Sequence, residues 1–117
     1  MVAAAGVQLG ERVLDLACGR GACLRAALGA VGADGFVLGV DFAPAMVEMM
    51  AEELRSNGAR NAEVRLGDAE HLDLPDGSFD VVTCGFSVFF FPAPEVALTG
   101  CRRVLKPGGR FDRIDLR

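Results

Sequence analysis

Three short stretches of this chain are apolar almost throughout: Val13–Leu16, Phe36–Val40 and Phe79–Cys84. A strand with one wet face alternates apolar and polar residues; a strand covered on both faces does not need to. Between these runs lie segments of helical period. Ala22–Val31 is rich in Ala and Leu, lacks an internal proline, and is weakened towards its end by Gly29 and Gly32. Behind Pro44, Met46, Val47, Met50, Ala51 and Leu54 recur on one face, with Glu48, Glu52, Glu53 and Arg55 on the other. Pro44 suits a first helical turn and Gly58 a helix stop. Glu63–Leu66 is a further strand, closed by Gly67 and Asp68, and LPDGS (Leu74–Ser78) is turn chemistry. Pro94–Leu105 predicts a third helix with Ala97, Cys101, Val104 and Leu105 along one side, ended by Lys106, Pro107, Gly108 and Gly109. Within it Gly100 costs about 1 kcal/mol relative to Ala. Arg110–Arg117 offers a fifth strand, although its FDRIDLR is too charged for a buried run. Strands alternating with helices and lacking a wet face imply an α/β parallel sheet covered on both sides, with right-handed crossovers. Ligands of such sheets bind outside the carboxyl ends of the strands, where strand order reverses.

A chain of 117 residues, 51% hydrophobic and 24% charged, has room for one core and reads as a single domain over 1–117. Net charge is −4 and no stripe of Lys and Arg is present, which argues against nucleic acid as a partner. Arg102, Arg103 and Lys106 form the densest basic group and read as the wet face of a helix. The opening MVAAAGVQLG lacks the basic start and the length of a signal peptide. No run approaches the ~20 apolar residues of a membrane span. Cys18, Cys23, Cys84 and Cys101 form no CxxC pair, so neither a metal site nor a disulfide frame is expected, and reduced thiols suit a cytoplasmic protein.

The turn after the first apolar run reads VLDLACGRGACL (Val13–Leu24). Gly19 and Gly21, with the small Ala17 and Cys18, permit close approach of a ligand to backbone, or simply tight strand–helix packing. Asp41 ends the second run, where an acidic group can accept both hydroxyls of a ribose or sit near a helix start. Asp68 lies just past the third run and could face the same crevice. Nicotinamide and adenosyl cofactors both use this topology. The dinucleotide fingerprint G-x-G-x-x-G fails here at Leu24. Asp15, at the mouth of the loop, would repel a pyrophosphate but welcome an ammonium group.

These stretches resemble the class I S-adenosylmethionine-dependent methyltransferases, in particular the ubiquinone/menaquinone-type small-molecule methylases. VLDLACGRG is similar to the family's first motif and GVDFAPAMVEMM to its second. GDAEHLDLPDGSFDVV is similar to the third and fourth, and RVLKPGGR to the segment before the fifth strand. The four occur in family order and cover nearly the whole chain. The resemblance implies a Rossmann-like doubly wound sheet of order 3-2-1-4-5, with S-adenosylmethionine as cofactor and a small molecule as methyl acceptor. It assigns Asp15 to the ammonium of the methionine moiety, and Ala17, Cys18, Gly19 and Gly21 to close backbone contact. Asp41 goes to the ribose hydroxyls, Phe42 to the face of adenine, Asp68 to the adenine amino group with Ala69 beside it, and Cys84 and Phe86 to the methionine and methyl end; Met46 joins the cofactor-binding set.

GFSVFFFP (Gly85–Pro92) holds four of the eight phenylalanines and reads as core and lid, or as an apolar wall near the methyl group. It differs from the N-P-P-Y arrangement of amino methylases acting on DNA bases. His71 is the only histidine, a surface residue or a base; Ser87 is a solvated hydroxyl or a substrate contact. No general base is identified. Compared with the family, the chain is expected to lack the leading helices that cap the active site and the strands after the fifth, leaving an exposed sheet edge through which it could self-associate. The alternative to a methyltransferase is a non-catalytic adenosyl-binding or interaction module without a substrate site; a nicotinamide enzyme is more distant.

Overall fold

The computed structural model describes residues 6–16, 22–84 and 93–113. Its elements run β1 (Arg12–Leu16), α1 (Ala22–Val31), β2 (Phe36–Asp41), α2 (Pro44–Ser56), β3 (Ala62–Leu66), β4 (Phe79–Cys84), α3 (Pro94–Val104) and β5 (Leu105–Arg113). The strands form one sheet in the order β3-β2-β1-β4-β5, and every pairing is parallel. β1 is central and the chain reverses direction across it, first outward through β2 and β3, then back to β4 and β5.

The alternation of side chains along the strands divides the core into two layers, except at Phe79, which lies in the layer opposite Val81 where the β4–β5 register is irregular. Val13, Val37 and Val81 pack with Leu24, Ala27 and Val31 of α1 and Met50 and Leu54 of α2. Leu14, Leu16, Leu38, Val40, Phe79 and Val82 pack on the opposite face with Ala97, Cys101 and Val104 of α3. This is why the strands read as continuous apolar runs. Of the apolar positions expected along α2, Met50 and Leu54 are buried, while Met46, Val47 and Ala51 are half-buried. Asn57 caps the helix, and Gly58 follows it with φ +68°, the left-handed conformation expected of a helix stop. The turn from α1 to β2 is tight: a Cβ on Gly35 would lie 2.3 Å from the Val31 Cβ and 2.8 Å from the Glu11 carbonyl oxygen.

The structure corrects the expected end of the third helix. Leu105 is not its last turn but the first residue of β5, with extended dihedrals (φ −76°, ψ 139°). Pro107 explains this, because a proline disfavours helical backbone in the residues leading into it. Lys106–Gly109 do more than stop a helix; they form an irregularity in the strand. Leu105 pairs with Phe79, and the register resumes at Arg110 opposite Val81. The charges of this segment are accommodated because β5 is an edge among the described strands. Arg110 donates to both carboxylate oxygens of Glu11, at 3.0 and 2.6 Å, and Phe111 packs against the α3-side core. Residues 114–117 lie outside the described residues.

Arg102, Arg103 and Lys106 are exposed, as expected of a wet face, although Lys106 lies in β5 rather than in the helix. Arg103 also reaches the β3–β4 loop, donating to the Leu74 carbonyl (2.7 Å), the Leu72 carbonyl (2.7 Å) and Asp76 Oδ1 (2.6 Å). Lys106 pairs with Asp80. At the other end of α3 the Ala93 amide donates to Glu70 Oε2 at 3.0 Å. Cys101 is a free thiol, and burial pushes it up to about 11, so it is inert packing.

Candidate functional site

Parallel strands bring their carboxyl ends to one edge of the sheet, and Asp15, Asp41 and Asp68 all stand there. Asp15 is the penultimate residue of β1, in register with Gly39 of β2 on one side and Thr83 of β4 on the other. Its parity matches Val13, so it faces the α1 and α2 layer. It is only 1% exposed. Thr83 Oγ1 donates to Asp15 Oδ1 at 2.9 Å, and Oδ2 is a buried oxygen with no hydrogen-bond partner among the described residues. Burial pushes the carboxyl up to about 7, opposed by the Thr83 hydrogen bond and reinforced by the Asp41 charge. An acceptor left unsatisfied in the middle of a sheet is costly, and it suits a donor-rich cation arriving from outside the protein.

Asp41 closes β2 and is 6% exposed. Its Oδ1 accepts the Ala43 amide at 2.9 Å, just where α2 begins behind Pro44. The following Phe42 is 74% exposed, a large aromatic face turned to solvent. Met46, one turn on, is half-buried. Asp68 lies two residues beyond β3 and is exposed. The Glu70 amide donates to its Oδ1 (2.9 Å), and His71 Nδ1 stands 3.1 Å from its Oδ2. These bonds hold its carboxyl below the usual carboxylate range, the backbone amide first and His71 second. His71 is a surface residue in contact with an acid rather than an isolated base. Ala69 is buried, and its methyl belongs to the α3-side core.

The structure thus gathers Asp15, Asp41, Phe42 and Asp68 at one sheet edge, with Asp15 and Asp41 close enough to sense each other's charge. Ala17, Cys18, Gly19, Gly21, Phe86 and Ser87 lie outside the described residues. Of Cys84, its place at the end of β4, beside Leu16, is described. A cleft of about 190 Å³ opens nearby between Val40, Arg65, Asp68, His71, Leu72 and Leu74. Val40 and Arg65 are in register on the α3 side, so this cleft is on the face opposite Asp15. Thr83 escaped the reading of the sequence. The available signal was a lone hydroxyl inside an otherwise apolar run, but only the strand register shows that it meets Asp15. Among the described residues no group of three or more His, Cys, Asp or Glu could hold a metal ion.

Comparison with known proteins agrees with this arrangement. Residues 13–109 match the methyltransferase domain family. The chain is 46% identical over 102 residues to aklanonic acid methyltransferase DauC of Streptomyces sp. (strain C5), covering 87% of this chain and 46% of that protein. It is 39% identical over 103 residues to demethylmenaquinone methyltransferase of Geobacillus kaustophilus (strain HTA426), covering 88% and 44%. The crystal structure of a SAM-dependent methyltransferase from Aquifex aeolicus superposes with a TM-score of 0.82 at 30% identity, covering 87% of this chain and 54% of that one. The chain therefore spans a little under half the length of these curated relatives. With the sheet order, the motif order and these matches in agreement, the chain belongs to the class I S-adenosylmethionine-dependent methyltransferase family.

Proposed function

We propose that this chain binds S-adenosylmethionine and takes part in methyl transfer to a small-molecule acceptor. The observation that carries the reading is the buried Oδ2 of Asp15, which has no hydrogen-bond partner among the described residues. It fits the ammonium of the donor's methionine moiety and would repel a pyrophosphate. Asp41 holds the ribose hydroxyls, the open face of Phe42 lies against adenine with Met46 behind it, and Asp68 accepts from the adenine amino group with Ala69 beneath. Ala17, Cys18, Gly19 and Gly21 bring backbone to the methionine and ribose, and Cys84 and Phe86 border the methyl end. The cofactor, when bound, supplies a methyl group already activated by a sulfonium, so the protein's part is chiefly alignment. A small-molecule acceptor is supported by the relatives, which are named for aklanonic acid and demethylmenaquinone.

The domain boundaries 1–117, a cytoplasmic setting and self-association along a sheet edge belong to the same reading. Calorimetry with S-adenosylhomocysteine against NAD tests it: the adenosyl ligand binds and the dinucleotide does not. The reverse result would remove the proposal. Turnover of labelled donor on a panel of small acceptors then separates an enzyme from a module that binds without transferring.

A further inference from the structure

One row of residues crosses the sheet in register: Val64 on β3, Gly39 on β2, Asp15 on β1, Thr83 on β4 and Asp112 on β5. Thr83 is fully buried, between Val82 and the end of β4. A valine fills nearly the same volume without a hydroxyl to satisfy, as Val81 and Val82 do in the same strand. The hydroxyl here has one defined use, donation to Asp15 Oδ1 at 2.9 Å. A carboxylate turns broadly about its last torsion, and a bond to one oxygen removes that freedom. Gly39, on the other side, offers no side chain to do so.

We infer that Thr83 is a positioning residue for the methyl donor: by donating to Oδ1 it fixes the Asp15 carboxylate so that Oδ2 accepts from the donor's ammonium group. The inference rests on the reading of the preceding subsection and adds a residue to it. The same bond favours the charged form of Asp15, against burial and against Asp41 at the end of β2, the other charge bearing on it among the described residues.

Two ligands separate this role from a merely structural one. S-adenosylhomocysteine carries the ammonium; methylthioadenosine keeps the nucleoside and thioether but lacks the amino acid. Calorimetry is run with both on the wild-type chain, Thr83→Val and Thr83→Ser. Thr83→Val is expected to weaken S-adenosylhomocysteine about tenfold, the scale of one hydrogen bond to a charged group, and to leave methylthioadenosine unchanged. Thr83→Ser restores the difference, and in an Asp15→Asn background Thr83→Val has no further effect. Equal loss for both ligands, or no loss for either, overturns the inference. Thr83→Ala, which adds no bulk, is read the same way if Thr83→Val does not fold. A wild-type chain that binds neither ligand removes the donor reading itself. A wild-type chain that binds S-adenosylhomocysteine while Thr83→Val leaves the ratio of affinities unchanged removes only the role of Thr83.

Discussion

Replacing Asp15 by Asn is expected to change the pH dependence of stability in a way few surface substitutions could. In the folded chain the Asp15 carboxyl is pushed up to about 7, chiefly by burial, from an ordinary value of 3.8. Between those two values the folded state holds a proton that the unfolded state has released. Stability from this group is therefore complete below pH 3.8, declines as pH rises, and is gone above 7. Integrated from pH 5 to pH 8, the loss is about 3 kcal/mol. For a domain of this size that is on the order of 10 °C in Tm. Glu11, Asp68 and Asp80 have carboxyls held below the usual range, through Arg110, the Glu70 amide and the Arg12 amide respectively. Their contributions are lost only as the solution becomes more acidic than this window, so they do not mask the effect. The substituted side-chain amide would still accept the Thr83 hydrogen bond through its carbonyl oxygen but carry no charge. Urea unfolding of both proteins at pH 5 and pH 8, without ligand, reads the difference directly. The wild type should lose stability across the interval and Asp15→Asn should not, so that the variant gains on the wild type at pH 8 while losing affinity for S-adenosylhomocysteine. Parallel pH profiles for the two proteins would refute the argument.

Three other outcomes follow from the geometry. Asp41→Ala should weaken S-adenosylhomocysteine several-fold or more by calorimetry; unchanged affinity would remove the ribose assignment. Gly35→Ala forces a methyl to within 2.3 Å of the Val31 Cβ, so thermal unfolding should show a loss of about 1–3 kcal/mol. Arg103→Ala removes the tie between α3 and the Leu72–Asp76 loop. The Gly77 and Ser78 amides, bonded to the Arg103 and Val104 carbonyls, should then exchange about tenfold faster with deuterium.

Much of this architecture was legible along the chain because a doubly covered parallel sheet writes itself as uninterrupted apolar runs. Val13–Leu16, Phe36–Val40 and Phe79–Cys84 occupy the centre of the sheet, and their unusual composition follows from that place. Ala22–Val31 was legible at both ends. Leu105 was not, because an apolar residue at helical spacing looks the same whether it closes a helix or opens a strand. Pro107 and the pairing with Phe79 decide between the two, and the pairing is remote in sequence. The acids were found by position, each just inside or past a strand end. Their unequal surroundings were hidden: Asp15 buried with one carboxylate oxygen unpartnered among the described residues, Asp68 exposed and tied to its own loop. Thr83 stayed invisible for the same reason, since its partner lies 68 residues away.

α3 is fastened to the β3–β4 loop at both ends, through Ala93 and Glu70 at its start and through Arg103 and Leu72, Leu74 and Asp76 at its finish. A surface connection of this kind ordinarily absorbs extra residues without consequence. Here an insertion between Glu70 and Asp76 would have to undo one fastening to keep the other. Length variation among descendants of this sequence, and any engineered tag or graft, should therefore be tolerated elsewhere, as at Asn57–Arg60, where the chain is largely exposed and its described hydrogen bonds run only back to the last turns of α2.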